Sequence, residues 1–192
     1  WMTALENLTE FAAACLPSMS RDDHLLTLVV VSARFHLPPP RSAAAPRLAE
    51  EQGEVRLADE YDGHAAAPLL LYEGQSTYTR PGTDLYMHGH AWAPGGRPTA
   101  RGVVELRVGG CHRRVLVFGD RVWTRTAAGV SPSRPTPFVS LPLTYRRCFG
   151  GTPANPARAI GEAAEYNPVG CGLYDGDRDA LDQPLPNFED PE

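Results

Sequence analysis

The chain has 192 residues, 42% of them hydrophobic and 21% charged, with 18 glycines and 19 prolines. Single cores usually serve chains of roughly 100 to 200 residues, so one β-rich domain over residues 1–192 is expected, and disorder or a collagen-like repeat is excluded. The net charge is −5 but unevenly laid out: residues 1–96 carry −6, residues 97–158 carry +9 and residues 159–192 carry −8.

No apolar run approaches the ~20 residues needed to cross a bilayer, so no membrane partner is expected. The N-terminal stretch lacks a basic start, and Glu6 and Glu10 interrupt its apolar positions, so no export signal is expected there. Cys15, Cys111, Cys148 and Cys171 are too scattered for a disulfide framework, which points to a reducing cytoplasm.

In chain order, Leu25 to Leu37 is a β-branched apolar run ended by Pro38, Pro39 and Pro40, the pattern of a largely buried strand. Residues 38–60 read as a surface connection with one short strand around Val55 and Leu57, and Leu69 to Glu73 as a short strand. From Asp84 to Trp92, alternation sets Leu85, Met87, Gly89 and Ala91 on one face and Tyr86, His88, His90 and Trp92 on the other. Two alternating runs flank Gly109 and Gly110, which predicts a β-hairpin with glycine at a positive φ.

Pro132, Pro135, Pro137 and Pro142 deny the next segment the N–H groups of a central strand, so it is expected as loop or sheet edge. Beyond residue 150, only Ala157 to Glu165 resembles a helix. The fold class expected is mainly β, an antiparallel sandwich or distorted barrel with long Pro/Gly-rich loops and little helix.

Candidate chemistry is thin. His88 and His90 share a strand face, and Cys111 or His112 could add a third zinc ligand for a small metal-dependent hydrolase. The spacing is common by chance, and packing or surface placement is preferred. Asp175, Asp177 and Asp179 open like a calcium loop, but Ala180 and Pro186 stand where Gly and Glu belong. Gly170, Gly172 and Gly176 do not have dinucleotide-binding spacing, and the hydrolase, zinc-protease and phosphate-loop motifs are absent. Cys148 lies beside Arg146 and Arg147, which could activate a thiol, yet Phe149 and the lack of a fixed histidine favour a buried structural cysteine. Arg113, Arg114, Arg121 and Arg125 near Phe118 and Trp123 could stack on single-stranded nucleic acid. Strand alternation would split them between two faces, so no nucleic-acid partner is expected. No cofactor and no catalysis are expected.

The ordered motifs resemble one family. They are Asn7-x-Thr9-x-Phe11-Ala12, VVVSARF from Val29, LAEEQ from Leu48, ADEY from Ala58, TRPGTDLYMHGHAWAPGG from Thr79, VFGDRVW from Val117, PFVSLPLTYRRCFGG from Pro137, NPVGCGL from Asn167 and LPNFEDPE from Leu185. Together they are similar to DUF2169, a bacterial domain of unknown function encoded in type VI secretion effector clusters. The departures are Arg80 for a lysine, Ser32 and Arg34 for a lysine and a threonine, Gln75 for an aspartate, and Arg146 and Cys148 for glutamate and alanine. The chain also ends at Glu192 where the family is expected to continue, as a C-terminally shortened piece would.

The resemblance implies a bacterial, cytoplasmic adaptor or chaperone that binds a type VI effector and helps load it onto a VgrG or PAAR spike protein. Aromatic and arginine residues are enriched at interface hot spots. The candidate protein-binding residues are accordingly Arg80, Asp84, Trp92, Arg113, Arg114, Asp120, Arg121, Trp123, Tyr145, Arg146 and Arg147. For Asp84, Asp120 and Arg121, a loop-shaping role is preferred to direct contact with a partner.

Overall fold

The computed structural model describes residues 5–20, 22–39, 42–63, 68–76, 82–151, 164–174 and 180–191. The chain divides into two compact units, Trp1–Tyr61 with Leu70–Thr83 and Asp62–Leu69 with Asp84–Glu192.

The first unit is built on a long hairpin. Strand β1 (Ala12–Met19) pairs antiparallel with β2 (Leu25–Ser32), from Ala12 opposite Ser32 to Met19 opposite Leu25. Ser20 closes the turn: its hydroxyl accepts the N–H of His24 at 3.1 Å, and Asp23 takes the left-handed φ of 60°. The β2 run was expected to be largely buried. Instead Leu25 is 88% and Val31 60% exposed. The cause is local: among the described residues β2 has a single partner strand, in which the small Cys15 and Ala13 face Val29 and Val31, while Leu25 sits beside the turn opposite Met19, itself 52% exposed.

Shorter pairs follow, β3 (Phe35–His36) with β4 (Arg47–Leu48) and β5 (Glu60–Tyr61) with β6 (Leu70–Tyr72). The strand expected around Val55 and Leu57 does not form; a side-chain-bonded segment replaces it. The Gln75 amide oxygen accepts the Arg56 N–H at 2.9 Å, its amide nitrogen donates to the Ser32 hydroxyl at 3.1 Å, and the Arg56 guanidinium lies 4.9 Å from the Tyr72 ring centre.

In the second unit only His90–Trp92 of the expected 84–92 strand is extended in a ladder, as β7, with Ala91 buried and His90 and Trp92 exposed as alternation requires. A 3-10 turn at Pro94–Gly96 leads to β8 (Arg101–Val108) and β9 (Cys111–Phe118), the predicted hairpin, with Gly109 at φ 55°. Then come β10 (Trp123–Thr126), β11 (Gly129–Pro132) and β12 (Ser140–Pro142), in pairs β10–β11 and β12–β7. Pro132 and Pro142 end their strands, as edge placement demands.

After a second 3-10 turn at Tyr145–Arg147, β13 (Phe149–Gly150) pairs in parallel with β14 (Cys171–Gly172), and β15 (Phe188–Glu189) adds to β9, giving the order β15-β9-β8.

The core lies where the three-stranded sheet meets the β7–β12 pair. Val117, Ala91 and Leu141 are buried there, with Val104, Phe138, Leu143 and Phe188 packed around them. The architecture is therefore mainly β, but it is not a closed barrel: among the described residues the strands form separate two- and three-stranded sheets, since prolines and glycines interrupt the ladders after a few residues. The parallel β13–β14 pair also departs from an all-antiparallel arrangement. The helix expected at Ala157 to Glu165 falls mostly outside the described residues, as do Arg80 and the Asp175–Asp179 run.

Candidate functional site

The sequence-predicted residues Asp120, Arg121 and Arg147 come together at the end of β9. Gly119 makes this corner possible: a Cβ there would overlap the Thr136 carbonyl oxygen, so only glycine allows the two backbones to pass. Immediately after it, Asp120 and Arg121 bind the C-terminal segment.

Asn187, which is buried, is the hub. Its amide nitrogen donates to the Phe118 carbonyl and to the Asp120 carboxylate, both at 3.0 Å, and its amide oxygen accepts from Arg147 at 3.1 Å. Its backbone N–H donates to the Arg147 carbonyl, and its own carbonyl accepts the Phe118 N–H, each at 2.8 Å. Every hydrogen-bonding group of this side chain thus has a partner except for spare lone pairs, which is the condition for burying an amide without loss. Arg147 also donates to Asp120 at 2.6 Å. The hydrogen bond from Asn187 is the main cause that holds the Asp120 carboxyl below its ordinary range; partial burial opposes it, and Arg147 reinforces it.

Arg121 is 8% exposed. It donates to the Pro186 carbonyl and to the Glu189 carboxylate, both at 2.6 Å, with its guanidinium carbon 4.2 Å from the Phe118 ring centre. Its Nε has no hydrogen-bond partner among the described residues. The corner is thus a clamp that holds residues 184–189 against β9 through side-chain and backbone bonds.

A second cluster adjoins it. Asn167 donates to the carbonyls of Tyr145 (2.8 Å) and Phe149 (3.1 Å). Burial pushes the Cys148 thiol up, with Cys171 adding to the effect, and burial also raises Cys171 itself. Raised thiols are poor nucleophiles at neutral pH, which agrees with a structural Cys148 despite Arg146 and Arg147. The Tyr174 hydroxyl donates to the Pro184 carbonyl, and burial raises its pKa.

The other candidates are dispersed. Arg146 pairs with Asp62 at 2.7 Å. Arg113 and Arg114 are exposed and, as adjacent strand residues, lie on opposite faces of β9. Trp92 is 70% exposed, Tyr145 is exposed, and Trp123 is half-buried opposite Pro132. Asp84 lies on an exposed stretch outside any strand.

His88, His90, Cys111 and His112 do not assemble: His90 packs against Trp92, His112 sits 3.0 Å from Glu105, and no group of three or more potential metal ligands forms among the described residues. Asn187, Glu189, Asn167 and Asp62 were not singled out from the sequence, although Asn187 and Asn167 stand within the LPNFEDPE and NPVGCGL motifs.

Among the described residues, no helix is long and apolar enough to cross a membrane. A family profile described as "Uncharacterized protein conserved in bacteria (DUF2169)" matches residues 22–192. No curated protein and no solved structure matches the chain.

Proposed function

The chain belongs to the DUF2169 family of bacterial proteins, and from that premise we propose that it is a non-catalytic adaptor or chaperone. It binds a type VI secretion effector in the bacterial cytoplasm and assists its loading onto a VgrG or PAAR spike protein.

The observation that carries this reading is the uncovered face of the β1–β2 hairpin. Leu25, Thr27, Val29 and Val31 line one side of β2; Val29 and Val31 are neighbours there, and the three apolar side chains are all more than half exposed. Contiguous apolar surface of this kind marks interaction sites in folded proteins, and an extended apolar sheet face suits a partner held by burial and released without chemistry. The exposed Arg113, Arg114 and Trp92 are of the types that contribute to recognition and encounter. The type VI assignment itself comes from the motif resemblance.

Co-expression with the effector and spike proteins encoded alongside the gene tests the reading. The effector is expected to be retained on the tagged chain at low and moderate salt, and to be lost from a Val29→Asp, Val31→Asp variant. Retention of neither protein by the unaltered chain removes the proposal.

A further inference from the structure

We infer that β8 is a self-association edge, pairing antiparallel with the same strand of a second copy about a two-fold axis at Leu106. This goes beyond the proposed function and does not rest on it.

Among the described residues β8 has one neighbour, β9. The two-residue turn makes Val108 and Cys111 the closing hydrogen-bonded pair, so Val108, Leu106 and Val104 bond to β9 while the main-chain groups of Glu105 and Arg107 point outward. Apart from the Arg101 carbonyl, which accepts the Thr99 hydroxyl at 2.8 Å, this edge is open, and such an edge is a ready template for another strand. The turn beyond it is unobstructed, since a Cβ at Gly109 or Gly110 would meet nothing within 4 Å.

Charge selects both the occupant and the register. Centred on Leu106, Glu105 of each copy faces Arg107 of the other on one face, while Val104 faces Val108 and Leu106 meets its own copy on the opposite face. Cross-strand pairs of these kinds stabilise a ladder. Glu105 and Arg107 are 45% and 68% exposed and attract each other along the strand at 3.0 Å, with His112 also 3.0 Å from the Glu105 carboxylate, so this exposed face carries both charges that a second copy would meet. The neighbouring registers fail. Centring on Glu105 opposes two carboxylates, and centring on Val104 sets Arg101 against Arg107. Centring on Val103 drives the partner's Arg107 onto Thr99, whose outward edge is bonded to Phe138 at 3.0 and 2.9 Å. The joined sheet would run β15-β9-β8-β8-β9-β15, with the isologous symmetry usual for dimers.

Sedimentation velocity across a concentration series tests this. The unaltered chain is expected to reach twice the monomer mass. Glu105→Arg and Arg107→Glu are each expected to weaken association about tenfold, because two like-charge contacts replace two opposite ones. An equimolar mixture of those two variants is expected to restore a heterodimer, and Arg101→Glu to associate like the unaltered chain. The restored mixture also shows that both variants fold. A monomer at every concentration overturns the inference, even if β8 amides become protected when an effector is added. So does a dimer insensitive to both charge reversals, a mixture without recovery, or an Arg101→Glu variant as weak as Arg107→Glu.

Discussion

The Gln75 amide nitrogen donates to the Ser32 hydroxyl at 3.1 Å, joining the end of β2 to the segment that follows β6. These are two of the positions at which the motif resemblance implies other residues, a lysine for Ser32 and an aspartate for Gln75. A small hydroxyl and a neutral amide thus meet where the resemblance would set a cation and an anion, and the two positions share one contact. Gln75 has a further duty, accepting the Arg56 N–H at 2.9 Å.

From this contact, Ser32→Lys and Gln75→Asp are each expected to lower stability alone, while the double variant recovers most of the loss. A partly exposed ion pair is worth up to about 1 kcal/mol. A double-mutant cycle from urea unfolding reads the coupling, and strictly additive effects would show that the two side chains do not act together.

The clamp divides its burden unequally. Replacing Asn187 with Leu strands the Phe118 carbonyl and takes one acceptor from the Arg147 guanidinium in a partly buried site, and should cost about 1–3 kcal/mol. Arg121→Met removes a buried cation whose Nε has no partner among the described residues, releases the Pro186 carbonyl and leaves Glu189, which is half-exposed, to turn to water; its cost should be about 1 kcal/mol, below that of Asn187→Leu. Urea midpoints in the reverse order would move the centre of the clamp from Asn187 to Arg121.

Asp120 gives the clamp a pH dependence. Its carboxyl is held below the ordinary range by the Asn187 hydrogen bond first, with Arg147 adding to it. A depressed folded pKa contributes stability that is present above the unfolded value and is lost as pH falls through the folded one. Acidification from neutral pH to below the usual aspartate range should therefore lower the thermal midpoint, and Asp120→Asn should flatten that part of the profile. An unchanged slope in the variant would assign the acid sensitivity elsewhere.

At Gly119 the clearance decides the outcome. Gly119→Ala forces the Thr136 carbonyl away from the corner, and overpacking of this kind costs about 1–3 kcal/mol. Gly110→Ala, with open space around it, serves as the comparison and should change the thermal midpoint little. Equal effects at both positions would mean that the corner can relax.

Much of the strand content was legible because it depends on local pattern. The Gly109-Gly110 hairpin, the edge character of the proline-bearing segment and the exposure of His90 and Trp92 beside buried Ala91 all follow from alternation and turn chemistry. The burial of β2 was not legible, since an apolar run does not state how many neighbours its strand will have. The clamp was half legible: Asp120 and Arg121 stood out as a pair, but their partners Asn187 and Glu189 lie more than 60 residues away, and sequence separation carries no sign of contact. Arg113 and Arg114 separated onto two faces as strand geometry requires.

Direct titration of the purified chain with the type VI effector it is proposed to carry tests the central claim most closely. Saturable binding is predicted, with affinity reduced at least tenfold by Val29→Asp and Val31→Asp together and left unchanged by Asn187→Leu at a temperature where that variant is folded. No measurable binding to the effector or to the spike protein, or binding indifferent to the hairpin substitutions, would contradict it.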